Sequence, residues 1–282
     1  MKVQKIFSIS VLFFCAVLLV GCQKDSMKVT ETSNAVNNKL PSVFELIALK
    51  HKIMEADGFV FVKNQNAMLN TGEQVSDDGL YTASAEFRGS DGELKTFGAL
   101  SIDDVDISKS KYSKRYKSSQ EDQVQLKGAF GKTIGVRLKD NGNLRSDVFY
   151  SEMYNPAPVS LNSPTPSGKA DAMTAIGINE TFTWNVDAQN SNGVYIIVYF
   201  DLRNILNADL RGKGHKSVSK LIQTTDNGRY QLSSTDLNNI PDGAVLDVIV
   251  GRANYQEVTT PGQDDYVLFG YTLATGQFKL SR

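Results

Sequence analysis

The feature that most constrains the fold is a series of short segments in which apolar and polar side chains alternate. Phe182, Trp184 and Val186 share one face of such a segment. Similar segments recur at even spacing and are separated by turn-forming dipeptides such as Asn192-Gly193 and Asp242-Gly243. Many short strands joined by turns are typical of β-sandwiches. The sequence therefore predicts a mainly β protein with two β-sandwich-like domains.

The positions of individual strands follow from this alternation. Trp184 is predicted to lie in a core, because it alternates strictly with Phe182 and Val186. Tyr195 and Tyr199 lie on the other face of their strand. Half exposure would suit glycan-binding aromatics, but packing against a neighbouring strand is commoner for such residues. A closing hairpin is expected to turn through residues 274–277. The segments read as strands or strand pairs are 59–62, 80–87, 94–102, 124–138, 148–154, 182–186, 194–200, 230–232, 246–250, 266–273 and 278–280.

The first residues have the pattern of an export signal. Lys2 and Lys5 precede an apolar run, Ile6–Val20, which is too short and wrongly flanked for a stable membrane-spanning helix. The run ends in Leu19-Val20-Gly21-Cys22, which resembles a bacterial lipobox. That resemblance implies cleavage before Cys22 and a diacylglyceryl chain on its sulfur. The following Gln23-Lys24-Asp25 resembles the signal that exports lipoproteins to the cell surface in Bacteroidota. The resemblance implies an outer-membrane, lipid-anchored protein at the cell surface, with the periplasmic face as the alternative.

Four ranges are predicted along the chain: a signal peptide over 1–21, a flexible tether over 22–41, a β-rich domain over 42–154 and a β-sandwich over 155–282. The tether is polar and has too little apolar surface to order itself. Ser42 and Glu45 have the spacing of a helix capping box, and Phe44, Ile47, His51 and Met54 follow at helical spacing. They predict a short amphipathic helix over 43–56. Four prolines between 156 and 166 mark the boundary between the domains.

The last range also resembles a known family. The stretch from Tyr230 to Asn254, with Ile240-Pro-Asp-Gly243 at its centre, is similar to part of a fibronectin type III or immunoglobulin-like domain. Trp184 stands where such domains place a core tryptophan. Leu246 departs from the pattern, because this fold usually has a tyrosine there. The resemblance implies a sandwich over 155–282 and implies no particular activity.

Cysteine and histidine content narrows the chemistry that the mature chain can perform. Cys15 lies in the signal and Cys22 is assigned to lipid, so no disulfide and no thiol nucleophile are expected. His51 and His215 are the two histidines, too few for most transition-metal sites. Loss of Lys2 and Lys5 lowers the formal charge from −1 to −3, which gives no general preference for polyanions. We expect no cofactor, no metal and no nucleic-acid partner.

A basic segment with interleaved tyrosines is the candidate ligand site. Lysine, arginine and tyrosine side chains together can hold phosphates or carboxylates and stack on rings. An anionic glycan or lipid headgroup fits that chemistry, but a solvated hairpin loop, balanced by the acidic residues nearby, is the favoured interpretation. The candidate residues are Lys111, Tyr112, Lys114, Arg115, Tyr116 and Lys117.

A pair of carboxylates supports a second functional hypothesis. Asp104 and Asp106 are two residues apart, so they lie on one face of a strand and could serve as the acid pair of a polysaccharide hydrolase. A solvated turn or strand end is the favoured explanation for them. The favoured function is a non-catalytic outer-membrane lipoprotein that binds a glycan or an outer-membrane protein. The alternative is a membrane-anchored polysaccharide hydrolase.

Overall fold

The protein is mainly β. The computed structural model describes residues 56–67, 80–89, 91–110, 113–142, 146–167, 173–260 and 262–282. A five-residue helix, α1 (Asp122–Leu126), and two 3₁₀ segments, Lys127–Ala129 and Ile205–Leu210, accompany the strands. The strands are β1 (Gly58–Ala67), β2 (Leu80–Phe87), β3 (Leu100–Ile102), β4 (Val105–Ile107), β5 (Tyr116–Lys117), β6 (Lys132–Lys139), β7 (Asp147–Asn155), β8 (Leu161–Ser163), β9 (Ala175–Ile176), β10 (Thr181–Trp184), β11 (Val194–Phe200), β12 (Val218–Thr224), β13 (Arg229–Gln231), β14 (Val245–Thr259) and β15 (Asp265–Leu280).

These strands form one large sheet and two small ones. The large sheet has the order β12-β11-β14-β15-β1-β2-β5, and β9 pairs with the end of β15. One small sheet has the order β4-β3-β6-β7 and the other β13-β10-β8. Neighbouring strands are antiparallel, except that β15 runs parallel to both β1 and β9. The large sheet therefore combines strands from both halves of the chain.

Each small sheet covers a different part of the large one. The first core contains alternate side chains of β1, β2 and β15 from the large sheet and of β3, β4, β6 and β7 from the four-stranded sheet. The second core contains alternate side chains of β11, β14 and β15 from the large sheet, together with Phe182 and Trp184 of β10. Burial of these apolar faces supplies the main driving force for folding. The result is two sandwiches that share one sheet.

The shared element is the long hairpin of β14 and β15. The inward face of β15 contributes Tyr266 and Leu268 to the first core, and Ala274 and Phe278 to the second. The predicted boundary at residue 155 therefore does not separate the two cores, because the chain returns to the first core after completing much of the second. That the two ranges are separate domains stays a prediction.

A polar seam lies between the two cores on the same inward face. Arg252 and Thr272 are paired across β14 and β15, and both are fully buried. The Arg252 guanidinium donates to the backbone carbonyls of Ala157, Pro158 and Asn185. It thereby holds the chain where it passes from one small sheet to the other. Buried polar groups are tolerated when hydrogen bonds satisfy them, as they do here for Arg252.

Two local predictions prove wrong. Residues 274–277 are not a turn but the interior of β15, where a Cβ on Gly276 would lie 2.4 Å from a side-chain atom of Pro166. Val124 lies in helix α1 and is 80% exposed, so the strand begins only at Lys132. Tyr195 and Tyr199 are buried, which agrees with packing against neighbouring strands and not with the half-exposed alternative. In contrast, the core position of Trp184 is confirmed, because its side chain is buried in the second core.

Several predictions lie outside the described residues: the signal peptide over 1–21, Cys22 with the tether over 22–41, and residues 43–55 of the amphipathic helix. Within the described part of the chain, no helix is long and apolar enough to cross a membrane.

Candidate ligand-binding cleft

A cleft lies on the outer face of the four-stranded sheet. Along β3, β6 and β7, buried residues alternate with residues that face away from the first core. In the register of this sheet, Ser101 is paired with Arg137 and Arg137 with Tyr150. These three side chains therefore form a row across three neighbouring strands. A turn and a strand end complete the site beside them.

The cleft has a volume of about 340 Å³ and a mixed lining. Two carboxylates and two cations balance one another in formal charge, and the lining also has one aromatic ring and two hydroxyl groups. The composition suits a polar, uncharged ligand that offers several hydroxyl groups more than it suits a polyanion. The lining residues are Ser101, Asp103, Asp104, Lys132, Gly135, Arg137 and Tyr150.

Asp103 lies at the floor of the cleft and fixes the turn that forms part of it. It occupies the tight turn between β3 and β4 with a positive φ of 51°, a conformation that aspartate tolerates better than most residues. Its Oδ1 accepts a hydrogen bond from the backbone N–H of Gly135 at 2.8 Å. Its Oδ2 lies 2.9 Å from Nζ of Lys132. Asp103 therefore ties the turn to β6, and the exposed side chain of Asp104 is left at the rim.

Tyr150 is the aromatic wall and is 49% exposed. Its ring lies over Gly135, because a Cβ built on that glycine would lie 2.9 Å from the Tyr150 hydroxyl oxygen. The hydroxyl donates a hydrogen bond to Oε1 of Glu152 at 2.7 Å. That bond, together with partial desolvation, raises the pKa of Tyr150 above its ordinary value. A ring that is held in place and partly exposed can contact an apolar surface of a ligand.

Arg137 is held between this ring and a carboxylate. Its guanidinium carbon lies 5.1 Å from the centroid of the Tyr150 ring, which is a cation–π distance. Its Nε lies 3.6 Å from Oδ2 of Asp147. Asp147 also accepts a hydrogen bond from Lys139, with 2.6 Å between Nζ and Oδ1, and this bond is the main cause of the lowered pKa of Asp147. Arg137 is thus oriented by these two contacts, and it forms part of the cleft lining.

The predicted basic segment is placed differently. It forms a short hairpin in which Ser110 N–H donates to the Arg115 carbonyl and Lys109 bridges to Tyr116. Lys114 donates to the Leu94 carbonyl at 3.1 Å. Lys117 is exposed on β5. Lys111 and Tyr112 lie outside the described residues.

Two members of that segment have roles within the fold. Tyr116 is 1% exposed, and its hydroxyl lies 2.8 Å from the carbonyl oxygens of Phe97 and Gly98. The expectation of a stacking surface at Tyr116 is corrected, because its ring is part of the first core. Arg115 pairs with the largely buried Glu86, with 2.6 Å between Nε and Oε2. That the exposed cations bind an anion stays a prediction.

The two carboxylates of the hydrolase alternative lie near the cleft. Asp104 lines it. Asp106 is opposite Ser101 on β4 and is exposed on the same face. Among the described residues, no group of three or more His, Cys, Asp or Glu side chains could hold a metal ion.

The sequence did not single out Tyr150 or Arg137. The alternation over 132–138 and 148–154 places Arg137 and Tyr150 on exposed faces of their strands, and this was the available signal. Their pairing depends on the register between β6 and β7, which alternation alone does not determine.

Comparisons with known proteins give little further guidance. No protein-family model matches the sequence, and no curated protein is significantly similar to it. One solved structure to which the chain is similar is described as a tetra-tandem repeat in the extending region of a large adhesion protein. The identity is 15%, the match covers 79% of this chain, and the TM-score is 0.21. The chain spans 49% of the length of that structure.

Proposed function

We propose that this protein is a non-catalytic, lipid-anchored surface protein that binds carbohydrate in the cleft beside Tyr150. The observation that carries the proposal is the half-exposed Tyr150 ring beside Arg137, Lys132 and Asp104. A sugar ring offers an apolar C–H face for the tyrosine and hydroxyl groups for the charged side chains. Charged groups form stronger hydrogen bonds than neutral ones, so a few of them can orient such a ligand.

The balance of charge supports a neutral or weakly charged glycan. Lys132 is already paired with Asp103, and Arg137 is shared between Asp147 and the ring of Tyr150. Both cations therefore already have partners within the protein, and neither needs an anionic ligand to balance its charge. We therefore expect hydroxyl groups, rather than carboxylates or sulfates, to provide most of the contacts.

The anchor rests on the sequence alone. The lipobox at Leu19–Cys22 favours attachment of the mature chain to a membrane through Cys22, and the residues that follow favour the outer surface. A second lipid chain would make that attachment stable. An outer-membrane protein partner is the alternative to a glycan for the binding role.

Affinity gel electrophoresis tests the glycan proposal. The mature chain carrying Cys22→Ser is run through gels containing mannan, xylan or polygalacturonate, and retardation is compared among variants. Tyr150→Ala should raise the apparent dissociation constant at least about thirtyfold. This change corresponds to a loss of about 2 kcal/mol in binding free energy. Tyr255→Ala is the matched control, because Tyr255 is another exposed tyrosine on a different sheet.

The outcomes separate the alternatives. Retardation by a neutral polysaccharide that Tyr150→Ala removes and Tyr255→Ala preserves supports the proposal. Equal retardation of all three proteins contradicts it. Release of reducing ends by the wild type, lost in Asp104→Asn, would instead establish the hydrolase.

A further inference from the structure

The outer face of the large sheet carries an apolar cluster that neither small sheet covers. We call it the aromatic face. It consists of Phe61 on β1, Ala253 on β14 and Val267, Phe269 and Tyr271 on β15. These residues alternate along their strands with those that enter the sandwich cores, so they point away from both cores.

The rings on this face pack against one another. The Phe61 and Phe269 centroids are 5.7 Å apart in an edge-to-face arrangement, and the Phe269 and Tyr271 centroids are 5.2 Å apart. A second cluster, which includes Ile197, Ile249 and Leu273, continues the apolar surface across β14 to β11. Tyr271 packs against both clusters, so together they form one continuous apolar area on the outer face.

Residues of the aromatic face are less exposed to solvent than their position on the outer side of the sheet suggests. Val267 and Phe269 are each only 3% exposed, although they lie on the side away from both cores. Lys63 follows Phe61 on the same face of β1, and burial is the main cause of its lowered pKa. A positive charge at the edge of the face is thus also shielded from water.

The chain itself enters β1 from this face. Ala56, the first described residue, already packs against the aromatic face, and β1 begins at Gly58. The residues immediately before Ala56 are those with the amphipathic pattern, with Phe44, Ile47 and Met54 on one stripe. A helix over 43–56 would be about 21 Å long. The four strands from β1 to β11 span about 14 Å, at about 4.8 Å between neighbours.

We propose that residues 43–55 dock as an amphipathic helix on the aromatic face, with Phe44, Ile47 and Met54 against the sheet. The occupant is this chain's own segment because the apolar stripe ends where the described chain begins, on the face that needs covering. The helix is long enough to cover both apolar clusters. A short amphipathic helix gains most of its stability from such packing rather than from its own propensity.

The docking determines how the cleft is presented. The four-stranded sheet and the large sheet lie on opposite sides of the first core, so the cleft and the aromatic face are on opposite sides of that sandwich. With the helix docked, the tether would leave the protein on the side away from the cleft. A tether of about 20 residues then separates that side from the membrane, with a typical span of about 25 Å. The inference does not depend on the identity of the glycan.

Thiol labelling tests the docking. In the mature chain, Cys22→Ser removes the thiol, so a cysteine introduced by Tyr271→Cys becomes the one reactive group. Its rate of reaction with a water-soluble maleimide is measured in three backgrounds: no further change, Ile47→Asp and Lys52→Asp. Lys52 lies away from the apolar stripe and is the matched control.

We expect slow labelling in the parent and at least tenfold faster labelling with Ile47→Asp, because a charge on the stripe should displace the helix. Lys52→Asp should leave the rate unchanged. Equal rates in all three backgrounds would overturn the proposal. A core reporter, Val248→Cys, must stay unreactive for the fold to be intact. If Ile47→Asp fails this check, Ile47→Ala replaces it and should give a smaller increase in the same direction.

Discussion

Arg252 and Asp226 form a buried ion pair in which Nε lies 2.6 Å from Oδ2 and the side chains are 0% and 3% exposed. The Asp226 carboxylate also accepts hydrogen bonds from Trp184 Nε1 at 2.9 Å and from Asn190 Nδ2 at 3.1 Å. One carboxylate therefore connects the shared hairpin, the three-stranded sheet and the turn before β11. The pair lies in the seam that separates the two apolar cores.

Asp226→Ala should lower the free energy of unfolding by about 3–5 kcal/mol. The reason is that Arg252 would remain buried without a counter-charge, which costs much more than the pair contributes. Urea denaturation measures the effect. Arg203→Ala is the control, because Arg203 pairs with Asp201 but is 77% exposed, and it should cost less than about 1 kcal/mol. Equal losses in the two variants would contradict a special role for the seam.

Asp247→Asn should stabilise the protein at neutral pH. Burial is the main cause of the raised pKa of Asp247 in the folded state, while an unfolded aspartate ionises near 3.8. The protonated Asp247 therefore contributes to stability below pH 3.8. That contribution is lost as the pH rises from 3.8 through the higher pKa of the folded state. Asparagine cannot ionise, and its carbonyl can keep the hydrogen bond from Gln277 that Asp247 accepts at 2.7 Å.

Melting temperatures at several pH values check this prediction. The variant should melt higher than the wild type at pH 7, and the difference should shrink as pH falls below about 4. Asp209→Asn, at an exposed position, serves as control and should show no such trend. A difference that grows in acid would mean that Asp247 is stabilised as the carboxylate.

Cys22→Ala should abolish acylation. Metabolic labelling with a fatty acid measures it, and Cys15→Ala is the matched control because Cys15 precedes the cleavage site. Lipid on the Cys22→Ala protein would refute the anchor.

A substitution at Gly135, which lies under the Tyr150 ring, should change the shape of the cleft. Gly135→Ala should push the Tyr150 ring aside, because the new Cβ would lie 2.9 Å from the Tyr150 hydroxyl oxygen. The atoms displaced belong to an exposed side chain, so the melting temperature should change little while glycan affinity falls about tenfold. Gly128→Ala is the control, since a Cβ there meets no atom within 4 Å. Unchanged affinity in Gly135→Ala would show that the position of the ring is unimportant.

The sequence predicted local patterns better than long-range ones. Alternation correctly placed Phe182 and Trp184 in a core, because successive side chains of a strand point to opposite faces and every second residue shares a face. It failed at Gly276, where Thr-Gly composition indicates a turn, but Gly276 pairs with Val248 of β14 and the strand continues. Tyr199 is buried because Ile249 and Leu273 pack beside it, and those neighbours come from distant strands.

The site was less predictable than the fold. Basic residues between 109 and 117 were conspicuous in the sequence, yet Tyr116 is a core residue and Arg115 pairs with Glu86. Arg137 and Tyr150 are 13 positions apart and unremarkable in composition. Only the register of β6 and β7 makes them neighbours.

Saturation-transfer NMR tests the central claim most directly. Aromatic protons of the Cys22→Ser protein are saturated in the presence of an oligosaccharide prepared from the polysaccharide that retards it in the gel. We predict transfer to the C–H protons of one face of a sugar ring, lost in Tyr150→Leu and retained in Tyr255→Leu. Transfer of equal strength in Tyr150→Leu, with unchanged affinity, would contradict carbohydrate binding at this cleft.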